Sequence, residues 1–212
     1  TGIPVVIDAA AAFGSQPIGA TTAAVYSLHA TKNLGIGEGG IVAGADPGFI
    51  DRIRKTSNFG LEAGGIRHIG TNAKLSEYHA AVGLAMLERW QRRKGVKRRL
   101  FQAYRNRLDG LKRPLLYQAG VEQIIPPLLA VRLPEQNDLA GLAERLREQG
   151  IHTRRWYHPP LHQHPAFAEA PRAGDLPVTR RIANQILGLP FHLEITPADM
   201  DYTMLWLDRL RS

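Results

Sequence analysis

The chain contains no cysteine. That absence excludes a disulfide framework, a thiolate metal site and a nucleophilic thiol, and it agrees with a reducing compartment such as the cytoplasm. Long apolar runs are also missing. None approaches the ~20 residues a bilayer-spanning helix needs, so no membrane insertion is expected. The opening residues lack the basic, then apolar, then small-residue succession of a secretory leader, so no signal peptide is expected. Acids are scarce relative to bases: 19 Asp and Glu stand against 27 Lys and Arg, a formal charge of +8. Much of that excess falls in Arg89, Arg92, Arg93, Lys94, Lys97, Arg98, Arg99, Arg105 and Arg107. Such a cluster is either a nucleic-acid surface or a solvated helix face, and it would also attract a diphosphate-bearing small substrate. Aromatic residues are not interleaved with it and no nucleic-acid module is recognisable, so nucleic-acid binding is not expected.

What is present concentrates in Ser27-Leu28-His29-Ala30-Thr31-Lys32-Asn33-Leu34-Gly35-Ile36-Gly37-Glu38-Gly39-Gly40. Ala24-Val25-Tyr26 leads in and Ile41-Val42-Ala43 leads out, and both read as buried strands. A lysine in a loop is ordinarily solvated surface. Between two buried strands, however, desolvation disfavours its charged form and lowers its pKa. A neutral amine is a nucleophile able to form a Schiff base with an aldehyde. Upstream, an apolar strand through Ile3, Val5, Val6 and Ile7 ends in Asp8, followed by Ala9 to Ala12, Phe13 and Gly14. Ligands of open α/β sheets bind at the carboxyl ends of strands, and Asp8 and Lys32 both fall at such ends. A carboxylate and an activated amine in one crevice suit pyridoxal phosphate. The amine takes the aldehyde, and the acid keeps the pyridinium nitrogen protonated so that the ring acts as an electron sink.

The glycines also spell Gly35-x-Gly37-x-x-Gly40, a dinucleotide-binding pattern. That pattern should follow a strand and open a helix, whereas here it precedes an apolar β-branched run, so close backbone packing is the better reading. His158, His162 and His164 suggest zinc, but no cysteine or paired acid completes a ligand set and no metal is expected.

The remaining chain reads as an α/β alternation. Asp46-Pro47 caps and starts a helix. Residues 60–75 read as a glycine-rich loop. Ser76 caps a long helical region reaching about Leu111, with Tyr78, Ala81, Val82, Leu84, Ala85 and Leu87 as its buried side and a bend at Gly95. The domain boundary is placed there. Beyond it a smaller α/β unit is expected: a strand over 128–133, a helix capped by Asn137 or Asp138 and ended by Gly150, a strand over 151–157, an irregular Pro- and His-rich stretch, a helix over 178–187, and a last helix started by Thr196-Pro197-Ala198-Asp199.

Four ordered motifs, namely Asp8-Ala9-Ala10 with Gly14, Ser27 to Lys32, Gly37-Glu38-Gly39-Gly40, and Gly70-Thr71-Asn72-Ala73-Lys74-Leu75-Ser76-Glu77, resemble the DegT/DnrJ/EryC1/StrS family of pyridoxal-phosphate sugar aminotransferases. Tyr157-His158-Pro159-Pro160-Leu161-His162 and Leu189-Pro190 fit its C-terminal region, so the resemblance spans nearly the whole chain. It implies an α/β fold: part of a fold-type I (aspartate aminotransferase-like) large domain over 1–95, truncated relative to the family, then a small α/β C-terminal domain over 96–212. Family members carry a long N-terminal portion before the Asp8 strand that contributes phosphate, ring-stacking and substrate contacts, so this chain resembles the C-terminal part of such an enzyme.

The resemblance implies Lys32 as catalytic residue and cofactor anchor, Asp8 as the pyridinium partner, and Ser27 as a phosphate contact. It implies that Asn72 reaches the phosphate of a neighbouring subunit, hence a homodimer with a shared active site. Read alone, Ser27 is equally a strand-end serine and Asn72 a turn residue. His162 is either a substrate contact or a loop histidine without a role. Ala11 stands where many members have Gln or His near the ring hydroxyl, and Ala73-Lys74 where an aromatic residue and arginine are common. Members with histidine at the lysine position are dehydratases, and Lys32 argues against that branch. The implied reaction moves an amine from glutamate to a nucleotide-linked keto sugar in the cytoplasm. The alternative is a catalytically inert family fragment with a structural or regulatory role.

Overall fold

In the computed structural model, which describes residues 3, 5–19, 22–134 and 138–211, the chain divides into two units, Thr1–Gly95 and Val96–Ser212. The first is built on β1 (Val5–Asp8), β2 (Thr22–Ser27) and β3 (Gly40–Gly44), in that order across the sheet. β1 runs parallel to β2 with Asp8 opposite Val25, and β3 returns antiparallel with Gly40 opposite Ser27. Central β2 carries the burial, through Ala23, Ala24 and Tyr26. The expectation of a second buried strand over 41–43 is not met: β3 is an edge strand and none of its residues is buried, and on the other edge Val6 of the apolar β1 is 61% exposed, with Ile7 packing on the Ala9, Ala24 and Tyr26 cluster. The Phe13 ring sits edge-on to both Tyr26 and Trp90.

α1 (Pro47–Ser57) starts as its sequence predicts, with the Asp46 carboxylate accepting the Gly48 amide at 2.9 Å. The glycine-rich stretch behind it is not wholly irregular. It holds a small hairpin, β4 (Leu61–Glu62) and β5 (Gly65–Ile66), because Gly64 and Gly65 supply the positive φ the turn requires. Lys55 fastens the hairpin to α1, 2.9 Å from Glu62 and 2.8 Å from Asp51.

The long helical region is two helices. α2 (Glu77–Glu88) is capped by Ser76. α3 (Trp90–Asp109) follows a break at Arg89, where the N–H turns back to the Leu87 carbonyl and leaves the helical ladder. Gly95 lies inside α3, so the bend expected there falls six residues earlier. None of the expected inward residues of α2 is buried; Tyr78 is 87% and Leu84 65% exposed. Apolar residues occur all round this helix, so no single face is set aside for a core.

The second unit packs helices on an antiparallel sheet ordered β6 (Leu116–Tyr117), β7 (Leu129–Arg132) and β8 (Ile186–Leu189). Tyr104 and Leu108 of α3, Val131 of β7, Leu142 and Leu146 of α4 (Leu139–Glu148), Leu187 of β8 and Leu207 of α6 (Pro197–Leu210) are almost wholly buried together. Asp138 caps α4 by accepting the Gly141 amide at 2.8 Å, while Asn137 lies outside the described residues. Two expectations fail for tertiary reasons. Residues 151–157 form no strand; Arg154 alone bridges to Gly188, and the Trp156 indole occupies the space beside that glycine. The helix expected over 178–187 is α5 (Pro177–Ala183), which stops early because Ile186–Leu189 is drawn into the sheet against β7. No helix among the described residues is long and apolar enough to cross a membrane.

Candidate active site

Because β1 and β2 are parallel, their carboxyl ends share one edge of the sheet. Asp8 closes β1 there, and one of its carboxylate oxygens accepts the Ala10 amide at 3.0 Å, turning the chain and leaving the other oxygen without a partner among the described residues. Ser27 closes β2 two residues beyond the partner of Asp8, and its hydroxyl accepts the His29 amide at 3.2 Å.

Lys32 rides on the loop that leaves this edge. The loop folds back on itself: Ala30 N–H donates to Gly37 O at 2.7 Å, Ile36 N–H to Leu28 O at 2.9 Å, and Leu28 N–H to Gly39 O at 2.9 Å. Lys32 N–H itself donates to His29 O at 2.8 Å. Asn33 and Leu34, immediately following, are buried and fix the base of the lysine. Its side chain is half-buried, and its amine has no hydrogen bond or ion pair among the described residues. The glycines explain how the loop closes. A Cβ on Gly35 would run into the Ala30 carbonyl, and Gly37 adopts φ +107° with the His79 ring directly beside it.

Three residues that sequence reasoning did not single out support this loop. The His29 Nδ1 lies 2.9 Å from Thr31 Oγ1, and its Nε2 lies 3.6 Å from a Glu38 carboxylate oxygen. His79 is held by Ser76, whose hydroxyl lies 2.8 Å from Nδ1. The only signal available was the three-residue spacing of Ser76 and His79 across a helix start.

Asp8, Ser27 and Lys32 therefore gather at one sheet edge and the loop that leaves it. Asn72 stands on a separate piece of backbone, exposed, in a segment stitched to the end of α1 by Phe59 N–H to Thr71 O at 3.1 Å and Ala73 N–H to Ser57 O at 2.9 Å. His162 belongs to the second unit, in a one-turn helix over Leu161–Gln163, with its Nε2 buried and unpartnered among the described residues. There too, burial and, secondarily, the charge of Arg155 hold the His158 imidazole below its ordinary pKa.

An amine and a carboxylate oxygen without partners among the described residues, together with a strand-end hydroxyl, are residue types that could hold a lysine-anchored cofactor. Residues 1–207 match the DegT/DnrJ/EryC1/StrS aminotransferase family, and the chain belongs to that family. It is 34% identical over 224 residues to dTDP-3-amino-3,4,6-trideoxy-alpha-D-glucose transaminase of Streptomyces venezuelae, covering 99% of this chain and 58% of that one. It is 33% identical over 208 residues to protein Rv3402c of Mycobacterium tuberculosis strain H37Rv, covering 93% of this chain and 50% of the relative. Among solved structures, Streptomyces venezuelae DesV in complex with a ketimine intermediate superposes with a TM-score of 0.86 at 30% identity, covering 98% of this chain and 58% of DesV. The α/β fold is thus that of part of a pyridoxal-phosphate aminotransferase. The chain spans about half the length of the curated relatives it matches.

Proposed function

We propose that this chain carries the lysine side of a pyridoxal-phosphate aminotransferase site acting on a nucleotide-linked keto sugar, with glutamate as amino donor. The observation that carries the reading is that Asp8 and Ser27 end the parallel strands β1 and β2 at one sheet edge, with Lys32, its amine unpartnered among the described residues, on the loop that leaves that edge. These residues fit the cofactor. The open oxygen of Asp8 would hold the ring nitrogen, the Ser27 hydroxyl would donate to the phosphate, and Lys32 Nζ would hold the aldehyde carbon. When bound, pyridoxal phosphate supplies an electron sink for the carbanion that develops as the α-proton leaves.

The protein supplies position and proton transfer. Buried Asn33 and Leu34 anchor the backbone at Lys32, which limits the volume its amine can sweep. Once released, the Lys32 amine takes a proton at Nζ and returns it, acting as a general base and then a general acid. Exposed Asn72 is suited to reach the cofactor phosphate of a second copy, which makes the working form a homodimer with a shared site. His162 is assigned to substrate contact, and the enzyme to the cytoplasm. The amine leaves glutamate, which departs as 2-oxoglutarate, and arrives at the keto carbon of the sugar.

Borohydride reduction after incubation with pyridoxal phosphate, followed by peptide mapping, tests the assignment. The expected result is a stable label on Lys32, absent in Lys32→Ala. A label elsewhere, or equal labelling in the variant, rejects it; the absence of any label and of any cofactor absorbance leaves the inert-fragment reading in its place.

A further inference from the structure

In the second unit, the chain turns at Gly150 just beyond α4 and touches β8 at one point, Arg154 N–H donating to Gly188 O at 2.9 Å. Arg147, His152, Arg154, Arg155 and Trp156 converge there on an open cavity of about 470 Å³. Its one acid is Glu144, and that carboxylate is engaged by Arg147 through two bonds, Nε to Oε2 at 2.9 Å and Nη2 to Oε1 at 2.6 Å. Among the described residues, Arg154 and Arg155 are left with no acid and His152 with no partner. The Arg155 Nε is enclosed with no acceptor among the described residues, so an acceptor entering the cavity reaches it only with a small shift of the side chain. A buried guanidinium N–H without an acceptor is a rare and costly arrangement, and planar guanidinium forks match the oxygens of a phosphate group.

We propose that this cationic cavity is a binding site for a phosphate group, with Arg155 and Arg154 as its principal donors and His152 at its rim. The ligand is free phosphate or the phosphate end of a larger molecule such as a nucleoside diphosphate, for which the cavity has room and the Trp156 indole a flat apolar wall. A carboxylate offers two oxygens to this set of donors, whereas a phosphate offers three or four. Burial and, secondarily, the charge of Arg155 oppose protonation of His158. A bound phosphate offsets that charge, so His158 reports occupancy. The site owes nothing to Lys32 and stands or falls separately from the proposed reaction.

The test is a titration of the 212-residue chain with inorganic phosphate, pyrophosphate and uridine diphosphate at constant ionic strength. It is followed by calorimetry and by the imidazole NMR signals of His152 and His158. The expected results are saturable binding, perturbed His152 signals and a raised His158 pKa. The double substitution Arg154→Ala/Arg155→Ala should weaken binding about tenfold or more, as loss of charge-assisted bonds does. Glu144→Gln, on an exposed helix position, frees Arg147 and should tighten it. Equal affinity for all three ligands points to phosphate alone, and tighter uridine diphosphate to a nucleotide. Absence of saturable binding overturns the proposal, as does affinity indifferent to Glu144→Gln and, in a folded protein, to the double substitution.

Discussion

His29 and Glu38 face each other across the loop that carries Lys32, with Nε2 3.6 Å from Oε1. Both side chains are substantially exposed, so the pair contributes no more than ~1 kcal/mol. The loop's shape rests instead on its internal backbone bonds and on the absence of a side chain at Gly35, where a Cβ would meet the Ala30 carbonyl. Gly35→Ala should therefore cost about 1–3 kcal/mol, the usual range for forced overpacking. Glu38→Gln should be nearly silent. Amide hydrogen exchange distinguishes the two: Ala30 and Ile36 should exchange markedly faster in Gly35→Ala and little faster in Glu38→Gln.

A second prediction follows from the unequal burial of two leucines. Leu142 is wholly enclosed in the core of the second unit, whereas Leu84 on α2 is 65% exposed. Leu142→Ala should lower unfolding free energy by about 2–5 kcal/mol. Leu84→Ala should change it by less than ~0.5 kcal/mol. Urea denaturation of both variants measures the contrast. A large loss in Leu84→Ala would mean that α2 is covered in the protein's working state.

That contrast also marks how far the fold could be read from residues alone. Features fixed by near neighbours were legible: the Asp46-Pro47 start of α1, the Ser76 cap of α2, and the Thr196 to Asp199 start of α6 all depend on side chains reaching amides two or three residues away. Features fixed by distant partners were not. Nothing in the apolar composition of α2 reveals that its residues stay exposed. Nothing in 151–157 reveals that Trp156 fills the space beside Gly188 and stops a strand from forming. The candidate site divides the same way. Asp8, Ser27 and Lys32 are conspicuous residue types at strand ends, while His29, Glu38 and His79 matter only because the loop folds back to meet them.

The packing of Trp156 on Gly188 gives a third prediction. A Cβ at position 188 would collide with the indole, and the backbone of Gly188 is tied to that of Arg154, two residues before Trp156. Gly188→Ala should displace Trp156 and loosen the Arg154 bridge, at a cost of about 1–3 kcal/mol. The near-ultraviolet circular dichroism and the fluorescence of Trp156, isolated by replacing Trp90 and Trp206 with Phe, should both change. An unaltered indole signal would mean that the ring does not rest on Gly188.

The start of α6 carries a pH dependence whose sign is fixed. Asp199 Oδ2 accepts from the Thr196 hydroxyl at 2.6 Å and from the Thr196 amide at 2.8 Å, while Thr196 Oγ1 accepts the Asp199 amide at 3.2 Å. These bonds, the hydroxyl first, favour the carboxylate and hold the folded pKa below its ordinary value of 3.8. A group with a depressed folded pKa binds fewer protons folded than unfolded, so its contribution is complete above the unfolded value and is lost as pH falls through the folded one. Asp199→Asn removes the charge while keeping an oxygen that can accept from Thr196. Wild-type and variant stabilities should accordingly differ most at neutral pH and converge as pH falls from about 5 to about 2. Parallel urea titrations across that range measure the difference directly, and a difference that does not shrink toward acid would remove Asp199 from the account of how α6 is held.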